Sequence, residues 1–183
     1  MHHSPTMLHL DTIISGGQTG ADEAALRWAK SRGLRTAGYM PHGFRTENGP
    51  RLLFNLSEMP VGSGNRHRDI ANVDISDAVL GFRYNILLTG RGTECTLTYA
   101  ADGVYEQRSW AEGASYGAKP TYVVWDARLD DSAEKRLKRA KSIREWLERT
   151  GAKALMVSGP CASTLEGVGE VVHMVLEDVW SSQ

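Results

Sequence analysis

The chain has 183 residues, 41% of them hydrophobic, two cysteines and a formal net charge of −1. That length suits one domain whose core removes roughly 70% of the unfolded chain's surface from water. Cys95 and Cys161 cannot build a disulfide framework or a four-thiolate zinc site, and no apolar run reaches the ~20 residues that span a bilayer.

The opening MHHSPTMLHLD lacks a basic flank followed by an apolar stretch, so no secretory signal is read and a cytoplasmic setting is expected. After a tail over residues 1–10, the run Thr12-Ile13-Ile14-Ser15 opens a single expected domain over 11–181. This strand enters SGGQTGADEAAL (15–26), where two glycines, a polar pair and a third glycine precede a helix expected over Asp22–Arg32. Ala25, Leu26 and Ala29 lie on one stripe of that helix, and Gly33 supplies its stop. Glycines let a backbone approach a ligand closely, and free N–H groups of a first helical turn attract anions by ~0.3–1 kcal/mol, or about 2 when partly buried. The loop has neither the Gly-Lys-Ser/Thr of a P-loop nor a G-x-G-x-x-G spacing.

A second strand is expected over Arg35–Tyr39. Residues 41–66 are irregular, with Pro41, Gly43, Gly49, Pro50, Pro60, Gly62 and Gly64, and read as a ligand-covering loop. Charge is also uneven here. Residues 24–68 hold eight basic side chains against Glu47 and Glu58, so the block is +6 and the rest of the chain −7. A local basic block in a neutral chain suits a small anionic ligand and opposes long nucleic acid. Arg45 and Arg68 are its candidates for bidentate phosphate contacts.

Asn72 to Asp77 reads as helix exit and entry to a strand over Ala78–Phe82. A second glycine turn, Thr89-Gly90-Arg91-Gly92-Thr93, then precedes a helix. The segment Ala101–Lys119, containing Trp110, carries helix interrupted by Gly103, Gly113 and Gly117. A strand over Thr121–Trp125 follows, and Ser132 caps a helix over Ala133–Thr150 that is expected to bury Leu137, Ile143, Trp146 and Leu147 and to stop at Gly151. The last strand, Ala154–Ser158, leads into a third glycine exit, Gly159-Pro160-Cys161. Ser163-Thr164-Leu165-Glu166 then has the spacing of a capping box before the apolar stretch Val168–Val179.

Continuous apolar strands alternating with helices predict an α/β fold, a three-layer sandwich around a mostly parallel sheet. In such a sheet the strand exits collect on one edge, so three glycine-bearing exits together suggest a nucleotide-sized site. The histidines show no paired metal-ligand spacing, and no metal site is expected. His173 reads as a packing residue on an apolar helix, and the five tryptophans read mainly as core or interface residues, with base stacking the lesser alternative for Trp125 near the crevice edge.

The strings SGGQTGADEAAL (15–26), PHGFRTENG (41–49), RDIANVDISDAVLGF (68–82), GRGTECT (90–96) and LMVSGPCAS (155–163) occur in this order. From about Asp11 to Val179 the chain resembles the circularly permuted YpsA-type branch of the SLOG superfamily, whose members also carry the name molybdenum carrier proteins. The resemblance implies a Rossmann-like fold, ligand binding at the glycine loops and homo-oligomers, as dimers or tetramers. It also implicates Ser15, Gly16, Gly17, Gln18, Thr19, Gly20 and Asp22, then Arg45 and Glu47, and then Arg68, Asn72, Ser76 and Asp77. Gly90, Gly92 and Thr93 take the place of the superfamily's glycine-threonine turn, with Gly159 and Pro160 closing the site.

Two departures matter. The related phosphoribohydrolases carry PGGxGTxxE, whereas here TGRGTECT puts Thr96 where their glutamate stands and leaves Glu94 two residues out of register. Cys161 stands where the branch often has arginine; a thiol near a helix N-terminus is in a setting that lowers its pKa, though an inert small residue is the favoured reading. The leading expectation is therefore a non-hydrolytic binding protein for a nucleotide-like or pterin-nucleotide-like anion, with the molybdenum cofactor among the ligands implied. The alternative is a nucleotide N-glycosidic or phosphate hydrolase, with Glu94, Glu47 or Asp77 as acid or base. A third reading, single-stranded nucleic-acid binding, is opposed by the neutral pI and the lack of a basic, aromatic-interleaved strip.

Overall fold

Nine strands and six helices make up the computed structural model, which describes residues 8–103 and 118–182. In chain order they are β1 (Thr12–Ile14), α1 (Ala21–Ser31), β2 (Arg35–Ala37), β3 (Tyr39–Met40), β4 (Arg45–Thr46), β5 (Gly49–Pro50), β6 (Ser57–Glu58) and α2 (Asn65–Asp74). There follow β7 (Ala78–Arg83), α3 (Ile86–Thr89), α4 (Arg91–Asp102), β8 (Thr121–Trp125), α5 (Ala133–Thr150), β9 (Ala154–Ser158) and α6 (Val168–Ser181). Most of the glycine-interrupted segment expected over Ala101–Lys119, including Trp110, lies outside the described residues.

Five strands form one parallel sheet in the order β2-β1-β9-β7-β8. Two-sided burial explains their continuous apolar sequences. Ile13, Leu80, Phe82, Leu155 and Val157 pack toward α1, α5 and α6, while Ile14, Val79 and Met156 pack with Ile70, Val73 and Leu97 from α2 and α4. These layers give the Rossmann-like three-layer α/β sandwich that the alternation predicts. Every strand of the sheet points the same way, so the exits of β1, β9 and β7 lie side by side at one edge.

Local chemistry sets the element ends. Ser132 caps α5 by accepting from Lys135 N–H at 3.3 Å, and Gly151 ends it in the left-handed conformation. Leu137, by contrast, is 64% exposed and not part of the core. The expected capping box at Ser163–Glu166 does not form, because α6 starts later, after Gly167, without a side-chain cap. Ser163 turns to Glu47 instead. His173 lies on the exposed side of α6 and does not pack in the core. The strand expected over Arg35–Tyr39 breaks after Ala37, because Gly38 passes so close to β1 that a Cβ there would sit 2.2 Å from the Ser15 carbonyl oxygen.

Among the described residues no helix is long and apolar enough to cross a membrane.

Candidate functional site at the sheet's carboxyl edge

The glycine turns at the β1 and β9 exits enclose a chamber of about 210 Å³ together with the Gly90–Gly92 turn, which is not the strand exit expected because α3 separates it from β7. Gly16, Gln18 and Asp22 line it from the β1 exit, Thr89 to Thr93 from the start of α4, and Ser158, Gly159 and Cys161 from the β9 exit. Asn65, Arg68 and Asp69 close it from α2. A wider groove of about 640 Å³ between α2 and α4 shares Asn65, Asp69, Arg91 and Gly92 with the chamber, so the two are continuous.

Arg68 is the buried cation of this site, 7% exposed. Its Nη1 donates to Asp22 Oδ2 at 3.1 Å, and its Nε lies 2.9 Å from Asp69 Oδ1. That second contact is close but out of line, and Nε makes no hydrogen bond. The guanidinium crosses directly over Gly16, where an added Cβ would fall 1.4 Å from Nη1. Glycine at this position is therefore a condition for the arginine's placement.

Both carboxyls beside Arg68 are pushed up in pKa. For Asp22, burial outweighs the attraction of Arg68 and the Gln18 N–H bond. Burial, opposed by Arg68 and reinforced by the charge of Asp22, raises Asp69 to about 6.

The two glycine turns flanking the chamber differ in their free donors. Before α1, Ala21 N–H donates to the Pro160 carbonyl at 3.1 Å and Glu23 N–H to the Gln18 carbonyl at 3.0 Å. Gln18 Oε1 accepts from both Thr19 N–H and Glu47 N–H, at 3.1 and 2.9 Å. Gly20 has φ +81°, and a Cβ there would meet the Pro160 oxygen at 2.7 Å, so this turn is packed against the β9 exit. Before α4, Gly90 leaves the helix without a side-chain cap, and the chain's own bonding resumes with Glu94 N–H to the Gly90 carbonyl. Arg91, Gly92 and Thr93 supply the first-turn N–H groups that an α-helix cannot satisfy internally.

The remaining expected residues separate into three groups. Ser15, Thr19, Gly17 and Pro160 build the walls behind the chamber: Ser15 Oγ donates to the Val157 carbonyl at 2.8 Å, and Gly17 packs on Met40 and Leu56. Asn72 is fully buried and clamps Tyr39 through both its amide atoms, at 2.6 and 3.1 Å, which fixes the start of the irregular segment. Ser76 and Asp77 lie at the amino-terminal edge of β7, opposite the chamber. There Asp77 Oδ2 accepts from Lys153 and Ala154 N–H, and Ser76 Oγ donates to Val73. Arg45 is exposed on the β4–β5 hairpin and does not line the chamber.

Glu47 serves as a brace and not as a free carboxylate. It accepts from Thr19 Oγ1 and from Ser163 N–H and Oγ, tying the hairpin to the β9 exit. Burial opposes its ionisation, but the Ser163 and Thr19 bonds more than offset that and hold it below the usual carboxylate range. Glu94 faces the outer groove and pairs with Arg83 Nε at 2.7 Å. Thr96, in the superfamily glutamate's place, lines the chamber with its hydroxyl bonded to the Gly92 carbonyl at 3.0 Å. Trp125 is 57% exposed under the Arg83 guanidinium, outside the chamber lining.

Asp69 and Arg91 line the chamber without having been singled out by sequence motif. Asp69 directly follows Arg68 in the RHRD string, and an acid beside a buried arginine is the available signal. Among the described residues no cluster of three or more metal-ligating side chains occurs.

Three comparisons bear on this geometry. No curated protein matches the chain. A crystal structure from Syntrophus aciditrophicus SB, of a protein provisionally named a molybdenum carrier protein, is similar with a TM-score of 0.75 and 28% sequence identity, covering 94% of this chain and 96% of that one. The sequence profile of the circularly permutated YpsA SLOG family matches residues 13–180, almost the full length. With its glycine exits gathered at one sheet edge and nearly all of its length matched, the chain belongs to the circularly permutated YpsA SLOG family.

Proposed function

We propose that this protein binds, without turning it over, a small ligand carrying an oxyanion. Such a ligand is a nucleotide-like or pterin-nucleotide-like phosphate, or a simple oxyanion such as molybdate. The observation that carries the reading is the uncapped first turn of α4 sharing one chamber with the buried Arg68 guanidinium. Backbone donors at a helix N-terminus and a fixed guanidinium are complementary to the same tetrahedral oxyanion. The chamber's volume of about 210 Å³ is below the ~300–1,000 Å³ usual for organic ligands, so it suits a head group alone. A nucleotide would leave its sugar and base in the continuous α2–α4 groove, beside Arg66, Thr98 and Cys95. Molybdenum carriage, in the name of the similar Syntrophus protein, fits this class as cargo and not as a resident cofactor.

Mass spectrometry of material released from native protein, followed by thermal-shift titration with inorganic phosphate, nucleoside monophosphates and molybdate, tests the reading. Saturation at a hundredfold excess over Kd stabilises by about 2.7 kcal/mol, a readily measured rise in Tm. Absence of any shift with all three anions contradicts it.

The hydrolase alternative is disfavoured by the positions of its acids. Glu94 is paired outside the chamber, Glu47 is held as a brace, and Asp77 is at the other end of the sheet. Free base released from a nucleoside monophosphate, and lost in Glu94→Gln, would restore it.

A further inference from the structure

We propose that Asp69 makes ligand binding proton-coupled: the oxyanion enters together with one proton, taken up by the Asp69 carboxyl as the anion displaces it from Arg68. This inference rests on the oxyanion-binding reading and adds how that site is regulated.

Asp22 and Asp69 flank a single buried guanidinium, and both line the chamber that would receive an anion. Two carboxylates facing a dianion in a desolvated space repel it, so one of them must become neutral.

The geometry distinguishes the two. Asp22 accepts from Arg68 Nη1 and from the Gln18 N–H at 3.3 Å, so its bonds belong to the packed α1 turn. Asp69 touches Arg68 Nε at 2.9 Å without a hydrogen bond, leaving that buried donor unsatisfied. Asp69 is also the carboxyl next to the open turn, since its Oδ2 lies 3.8 Å from where a Gly92 Cβ would stand. An oxyanion at Gly92 therefore satisfies Arg68 Nε and the α4 donors, and it accepts a hydrogen bond from a protonated Asp69. An ionised Asp69 offers only acceptors there.

The charged surroundings agree. Arg68 favours the ionised form and Asp22 opposes it. From α4, Arg91 borders both the chamber and the groove, while Glu94 is paired with Arg83. Arg66 on α2 and the Cys95 thiol on α4 face the groove, and the Cys161 thiol faces the chamber. His67 on α2 lines neither and accepts from Gly64 N–H at 3.2 Å. Burial already draws Asp69 toward the neutral form.

Isothermal titration with molybdate, a dianion throughout the range from about pH 5.5 to about pH 8, in buffers of different ionisation enthalpy tests this. In the wild-type protein we expect uptake of close to one proton at neutral pH and affinity falling about tenfold per pH unit above pH ~6. Asp69→Asn, which keeps His67, both thiols and Arg68, is expected to bind molybdate with no such dependence and without proton uptake. Wild-type binding that is flat with pH and proton-neutral overturns the coupling while leaving oxyanion binding intact. A slope that persists unchanged in Asp69→Asn overturns the assignment to this residue. Failure of the wild-type protein to bind molybdate, phosphate or a nucleoside monophosphate at any pH overturns the oxyanion reading itself, whereas loss of binding in Asp69→Asn alone overturns the claim that the neutral carboxyl is the binding form.

Discussion

In the turn before α1, the chain meets its own donors: Pro160 and Gln18 carbonyls take the first-turn N–H groups, and the Gln18 side chain brackets Thr19 to Glu47. In the turn before α4, Gly90 provides no cap, and the residues of the first turn line the chamber directly. The first turn follows β1 directly, the second follows β7 through the short helix α3, and both are rich in glycine. Their glycines do different work, one set letting backbone and Arg68 pack closely and the other leaving a helix end open. Glycine enrichment at a strand exit thus marks close approach, and only the fate of the N–H groups says whether the approaching group is protein or ligand.

Breaking Arg68 should have the largest effect. Arg68→Met leaves Asp22 and Asp69 buried without their cation and is expected to cost about 3–5 kcal/mol, read by denaturant unfolding, together with loss of anion binding. Gly16→Ala drives a Cβ into the same guanidinium, so a loss of roughly 1–3 kcal/mol and weakened binding are expected together.

A third pair of variants separates the turns. Gly92→Asp puts a carboxylate at the open α4 turn, where its Cβ has room. Phosphate affinity should fall at least tenfold, about 1.4 kcal/mol, while folding stability changes by ~1 kcal/mol or less. Gln18→Ala should do the reverse, destabilising by about 1 kcal/mol through the lost Thr19 and Glu47 bonds with little change in affinity.

The pH dependence of folding has a fixed sign. The Asp69 carboxyl rises from its ordinary 3.8 to about 6 in the folded protein, so the folded state holds that proton longer than the unfolded one. Its contribution is complete below about pH 4 and is lost as pH rises through about 6, by ~3 kcal/mol at most. Asp69→Asn should make Tm less steep across that window, leaving the share that Asp22, also pushed up by burial, contributes with the same sign. The smallest effect belongs to Glu94→Gln, whose half-exposed pair with Arg83 is worth ~1 kcal/mol or less.

Periodicity and apolar runs made the fold readable. Thr121–Trp125, Ala133–Thr150 and Ala154–Ser158 stand where the sequence places them, because strands buried on both faces and a helix with matched caps leave local signals. The chamber was readable in its glycines and in Arg68, but not in its chemistry. Which helix end is open depends on the carbonyl of Pro160, about 140 positions from Ala21 in the chain, reaching back to cap it. Asp77 and Glu47 look like site carboxylates in their motifs, yet long-range partners, the Lys153–Ala154 amides and Ser163, turn them into structural braces. Leu137 has the spacing of a core residue, but it lies on the exposed side of α5.

The oxyanion is expected at the α4 turn and not at the α1 turn. Backbone amide chemical shifts of isotope-labelled protein, followed through a titration with inorganic phosphate, address it directly. Saturable shifts are expected to concentrate at Arg91, Gly92 and Thr93, with the Thr19, Gly20 and Ala21 amides moving little. Shifts centred on Thr19 to Ala21, with the α4 turn unmoved, would contradict it.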